Sequence, residues 1–225
     1  MEWKKTIVVW DIEWAFHKVP LLLANTWLLN IANEVSIILV WDIVWGLTDG
    51  NLPMIQYCYN NRDRVRMILW NKDLLVQQLI NGEGSAKEPV WATRVAQELW
   101  KSKNADLQDF FMDKFEPYIE KEKFIITHAR PIPWKKLNKH SKNRLAWVWY
   151  KKSKNPLYEE WKIFIFWHHA TEGFKINRDW AWNAISSIQI DSWCGRWIWN
   201  LSAVMLWKEQ IQIMDSGWAN ISIDL

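Results

Sequence analysis

Four short apolar runs recur along this chain, and each ends in tryptophan followed by a side chain able to bind a metal ion. They are TIVVW before Asp11, IILVW before Asp42, RMILW before Asn71 and IFIFW before His168. Runs this short and this rich in Ile and Val suit strands buried on both faces. Asp42 follows Asp11 by 31 residues, and Asn71 follows Asp42 by 29. That interval holds one strand, one helix and the return to a parallel neighbour. The chain is thereby directed to an α/β plan with polar side chains at the carboxyl ends of strands, where open α/β sheets place their sites.

The tryptophans are the anomaly. Among 225 residues there are 21 Trp and 7 Gly, whereas glycine ordinarily makes up about 7% of a chain. Trp stands at strand-to-loop turns that normally hold glycine, which lacks Cβ, reaches positive φ and lets the backbone approach a ligand closely. A gene whose host decodes UGA as glycine, translated with a table that reads UGA as tryptophan, gives this distribution. Trp147/Trp149, Trp180/Trp182 and Trp197/Trp199 then become Gly-x-Gly turns. The competing reading takes the indoles literally, as an aromatic-rich binding protein without metal, facing sugars or a membrane interface.

Further blocks join the first four in order. The chain carries W-D-I-E-W at Trp10 to Trp14, W-D-I-V-W-G at Trp41 to Gly46 and W-N-K-D at Trp70 to Asp73. It continues with T-H-A-R-P at Thr127 to Pro131, W-H-H-A at Trp167 to Ala170, and IDSWCGRWIWNLSAVML at Ile190 to Leu206. With glycine at the Trp positions, this set resembles the calcineurin-like metallophosphoesterases, in particular the branch of phosphoprotein phosphatases and diadenosine tetraphosphate hydrolases. The resemblance implies a four-layer α-β-β-α sandwich of two mixed sheets with flanking helices. It also implies one domain over residues 1–225, with a helical insertion around 82–122.

The same resemblance implies two divalent metal ions, Mn, Fe or Zn, held by hard oxygens and imidazole and able to activate a hydroxide for attack on phosphorus. Asp11 would bind the first ion and Asp42 would bridge both. Asn71, His128 and His168 would complete the second. Two departures from the family pattern stand out. Glu13 replaces a histidine ligand, and Lys72 replaces the histidine that protonates the leaving oxygen. Asp73 would orient Lys72. The Asp-Arg pair of the second motif is missing after Asp42, so Arg130 is the replacement for gripping phosphate, with Arg196 a weaker one. The expected substrate is a phosphorylated small molecule, a nucleotide or a phosphoprotein. The alternative is a catalytically weakened relative that binds phosphorylated ligands without efficient turnover. His169 is placed beside the site or on the surface, and His17 and His140 on the surface.

Composition sets the remaining bounds. Apolar residues make up 50% and charged residues 24%, the mix of a globular enzyme. A net charge of +3 is too small to imply a nucleic-acid partner. No apolar stretch reaches about 18 residues, Lys4 and Lys5 lead straight into a strand so that no signal peptide is expected, and Cys58 and Cys194 lie far apart; a cytoplasmic setting is expected. The basic stretch from Lys135 to Lys154 reads as a solvated loop and strand edge, or as an attractor of polyanions. Strands are expected at 6–10, 36–41, 66–70, 123–128, 145–150, 162–167, 186–190, 203–207, 210–214 and 220–224. Helices are expected at 15–30, 52–62, 74–81, 91–101 and 105–120, the last with Asn104 as its cap.

Overall fold

The structure, a computed structural model, describes residues 5–10, 35–40, 43–44, 51–84, 89–129, 131, 136–141, 145–146, 162–166, 173–178, 185–191, 202–207, 210–215 and 220–224. The chain opens with β1 (Thr6–Trp10), β2 (Ser36–Leu39), α1 (Asn51–Asn60), β3 (Val65–Ile68) and α2 (Asn71–Ile80). It continues through α3 (Val90–Lys101), α4 (Ala105–Asp113), β4 (Phe115–Glu116), β5 (Tyr118–Lys121) and β6 (Phe124–Thr127). A 3-10 turn at Leu137–Lys139 leads to β7 (Ile163–Phe166), β8 (Gly173–Arg178), β9 (Ile185–Asp191), β10 (Ser202–Trp207), β11 (Gln210–Asp215) and β12 (Asn220–Asp224).

These strands make two mixed sheets. One has seven strands in the order β12-β11-β10-β1-β2-β3-β4, and the other five, in the order β5-β6-β7-β9-β8. In the first, β1 to β4 are parallel neighbours, while β10 runs antiparallel to β1. In the second, β6, β7 and β9 are parallel, flanked by antiparallel β5 and β8.

Alternation along the central strands sorts side chains into two cores. Ile7, Val9, Ile37, Leu39, Val65 and Met67 meet Met54, Ile55, Val95, Leu99, Phe110 and Phe111 of the helices. Val8, Ile38, Ile68 and Val204 face the other way and meet Ile119, Phe124, Ile126, Ile165 and Ile188 of the five-stranded sheet. Central strands are therefore apolar on both faces, which is why they read as continuous runs rather than as alternating ones. The outer face of the second sheet buries Ile125, Phe164 and Phe166 against Leu137 and Leu145. Sheet faces sheet and helices cover the seven-stranded sheet, the α/β sandwich expected from the sequence.

Local chemistry sets the helix ends. Asn104 caps α4, its Oδ1 accepting the Leu107 N–H at 3.1 Å. Gly82, just past α2, has φ of +75°, which favours glycine. On β3, Arg66 pairs with Glu116 of β4 through Nε to Oε1 at 2.7 Å and Nη2 to Oε2 at 2.5 Å.

Several expectations are corrected. The helix expected over 105–120 ends at Asp113, and residues 115–116 and 118–121 are strands. Pro117 explains the break, since its ring removes an N–H and biases Glu116 to extended backbone. Residues 145–146 form a helical turn rather than the start of a strand. Strand β8 was not expected; half of its sequence, GFKINR, is polar, as befits the edge position it holds. Helix α2 begins at Asn71, three residues before the expected start, and takes Asn71, Lys72 and Asp73 into its first turn. The expected helix at 15–30 lies outside the described residues.

Candidate functional site

Helix α2 starts as soon as β3 ends. Trp70 is its N-cap, with φ −114° and ψ 170°, extended backbone that any residue adopts. Position 70 therefore does not demand glycine for its dihedrals. The indole is almost wholly buried. Its ring centroid lies 4.4 Å from that of His128, with the planes tilted by 43°. The Lys72 ammonium sits over the same indole, 4.9 Å from the centroid, a cation–π arrangement. Trp70 thus joins the β3–α2 corner of one sheet to the end of β6 in the other.

His128 is fully buried, directly after β6. The Thr127 hydroxyl donates to the Ala129 carbonyl at 2.9 Å, bridging over the histidine, and the Ala129 N–H reaches the Leu145 carbonyl at 3.3 Å. On the facing corner, the Oδ1 of Asn71 is shielded from solvent and accepts no hydrogen bond among the described residues. A buried amide oxygen without a donor is costly unless some other electrophile meets it.

Asp73 is completely buried. Its Oδ1 accepts the backbone N–H of Ile43 at 3.1 Å and of Val44 at 3.2 Å. Burial holds this carboxyl well above the usual carboxylate range, while the N–H groups of Val44, Trp70 and Ile43 and the charge of Lys72 pull it down. Among the described residues no hydrogen bond or ion pair joins Asp73 to Lys72, although the lysine's charge acts on the carboxyl. Oδ1 is taken up by the segment after β2, Oδ2 is buried without a hydrogen-bond partner among the described residues, and the lysine lies over the indole. Burial, with Asp73 adding to it, likewise raises the Cys58 thiol.

Of the nine residues assigned to the site from sequence, Asn71, Lys72, Asp73 and His128 are described: Lys72 and His128 both meet the Trp70 indole, and Asn71 and Asp73 flank Lys72 on the first turn of α2. Asp11, Glu13, Asp42, Arg130 and His168 lie outside the described residues, as do His17, His168's neighbour His169, and Arg196. The strands that precede them are described. β1 ends at Trp10, immediately before Asp11 in sequence, β2 ends at Leu39, and β7 at Phe166. Among the described residues no group of three or more His, Cys, Asp and Glu side chains converges on one point. His140, expected at the surface, is buried, its Nδ1 within 3.1 Å of the Lys136 carbonyl. Sequence reading also missed the roles of Trp70 and of the Ile43 and Val44 amides; no side-chain pattern marks a backbone donor.

No protein-family model and no curated sequence match this chain. In fold it is similar to the crystal structure of a cold-active protein-tyrosine phosphatase of a psychrophile, Shewanella sp. The TM-score is 0.63 at 12% identity, over 98% of this chain and 80% of that one. It is also similar to a metallophosphoesterase from Sphaerobacter thermophilus, with a TM-score of 0.54 at 12% identity, over 94% of this chain and 87% of that one. At such identity the likeness is one of fold: the chain has the sandwich found in a metallophosphoesterase and a phosphatase. No helix among the described residues is long and apolar enough to cross a membrane.

Proposed function

We propose that this chain is a metal-dependent phosphoesterase acting on phosphate esters or nucleotide polyphosphates. The observation that carries the reading is the solvent-shielded Oδ1 of Asn71, without a hydrogen-bond donor among the described residues. It lies at the corner where buried His128 packs on Trp70. An amide oxygen and an imidazole are a donor set suited to Mn, Fe or Zn. In this reading Asp11, Glu13, Asp42, Asn71, His128 and His168 hold two divalent ions. Such a pair, when bound, supplies Lewis-acid polarisation of the phosphoryl oxygens and an activated water.

The chain's own groups do the rest. Lys72, held over the indole at 4.9 Å, offsets charge on the phosphoryl oxygens or delivers a proton to the leaving oxygen. Arg130 grips the phosphate through its planar guanidinium. The Thr127 hydroxyl bond to the Ala129 carbonyl fixes the backbone on either side of His128. A second reading, a relative that binds phosphorylated ligands and turns them over poorly, is favoured by one observation. The Trp70 indole lies against the His128 ring and takes space beside it.

The test is a Mn-dependent assay on para-nitrophenyl phosphate and diadenosine tetraphosphate, with metal analysis of the purified protein. It is run on this chain, on a chain with glycine at Trp10, Trp41, Trp70 and Trp167, and on Asp42→Asn in each. Turnover that Asp42→Asn reduces by more than the roughly 100-fold typical of changes behind the ligands supports the phosphoesterase. Bound metal with no turnover in either background supports the weakened relative. Absence of metal from both chains leaves only the aromatic-rich binding protein.

A further inference from the structure

We infer that Asp73 is a positioning residue that ties the two metal-binding loops together, so that the affinity of the site for metal depends on a side chain that does not itself touch the ion. The inference rests on the metal-centre reading above and assigns to Asp73 a role other than catalysis or the orienting of Lys72.

The geometry is specific. Asp73 stands on the first turn of α2, two residues after Asn71. Its Oδ1 accepts two successive backbone N–H groups, those of Ile43 and Val44, about 30 positions earlier in sequence. Ile43 is the residue that follows Asp42. One carboxylate oxygen therefore fixes the peptide segment that leaves Asp42 against the helix turn that presents Asn71. Ile43 and Val44 are both buried, so without Asp73 their amides would lack a partner at a place where water cannot replace it. Two ligands on separate loops bind one ion tightly only if their spacing is set beforehand. Residues behind the ligands that set it usually change affinity by about 10–100-fold when removed. The site needs an acceptor oxygen at this position, and an asparagine supplies one.

The experiment is calorimetric titration of the full chain with Mn2+, in wild type, Asp73→Ala, Asp73→Asn and Val76→Ala. Val76 is fully buried on the same helix, so its truncation destabilises α2 and leaves the carboxylate in place. Asp73→Ala is expected to weaken Mn2+ binding about 10–100-fold, Asp73→Asn to restore most of it, and Val76→Ala to lower the melting temperature with affinity unchanged. Equal affinities in wild type and Asp73→Ala overturn the inference and leave the metal reading standing. Absence of Mn2+ binding by wild type sinks both. Should Asp73→Ala fail to fold, amide exchange in wild type decides: slow exchange at Ile43 and Val44 supports the clamp, and fast exchange at both refutes it.

Discussion

The two sheets of this sandwich are covered in different ways. The seven-stranded sheet lies under the four described helices, whose Val95, Leu99, Phe110 and Phe111 interlock with the side chains of β1, β2 and β3. The five-stranded sheet buries Phe164 and Phe166 under Leu137 and Leu145, which belong to a 3-10 turn and a helical turn. The regular cover is also internally bonded: the Gln77 side chain of α2 donates to the Phe111 carbonyl of α4 at 2.7 Å. A thick, bonded layer holds α2, and through it Asn71, Lys72 and Asp73, to one place. Near His128 the described cover consists of the 3-10 turn at Leu137–Lys139 and the helical turn at 145–146.

Truncation tests that contrast directly. Phe111→Ala is expected to cost about 3–5 kcal/mol in denaturant unfolding, because the helices above it cannot close the cavity. Phe164→Ala, whose described cover is Leu137 and Leu145 on two short turns, is expected to cost less, since the price of a cavity depends on how far its surroundings collapse. Equal losses would break the comparison. Alkaline titration sharpens it, because Cys58 is buried on the helical side. A thiol raised by folding contributes stability that is complete below its unfolded value and is lost as pH rises above it. The protein is therefore expected to lose up to about 1.4 kcal/mol per pH unit above roughly pH 8.5, and Cys58→Ala is expected to flatten that slope. Tyr57, also raised by burial, steepens the fall at higher pH. An unchanged slope in Cys58→Ala would place the thiol outside the cooperative unit. The smallest effect concerns the cap. Asn104→Ala is expected to lower stability by about 1 kcal/mol, with Asn104→Asp close to wild type; chemical denaturation distinguishes the two.

What the sequence revealed follows the same division. The buried strands were legible because both their faces are apolar: TIVV, SIIL, FIIT and IFIF offer no other reading at that length. The helices of the thick cover were legible as stretches between strands, and α4 also from its Asn104 cap, apart from ends such as the one that Pro117 enforces. The turns over Phe164 were not, because a lysine-rich stretch has no period. At the candidate site, Asn71 and His128 were singled out from their places after strands, and the structure puts Asn71 directly after the buried Trp70 whose indole packs on His128. The bonds of Asp73 were not, since the partner of a carboxylate can be any amide the fold brings near. His140 misled because a histidine without a motif looks like a surface residue, whereas here its ring is buried and meets the carbonyls of Lys136 and Leu137.

Arg66 and Glu116 have a consequence larger than their energy. An exposed ion pair, even with two parallel bonds, adds little stability. Yet β3 is hydrophobic at Val65, Met67 and Ile68, on both sides of its ribbon, so oiliness alone barely distinguishes one alignment from the next. Sliding this strand by a single position would carry a guanidinium beneath the helices. Charge at the rim thus tells β3 where to stop, and the corner that carries Asn71 inherits its placement from that stop.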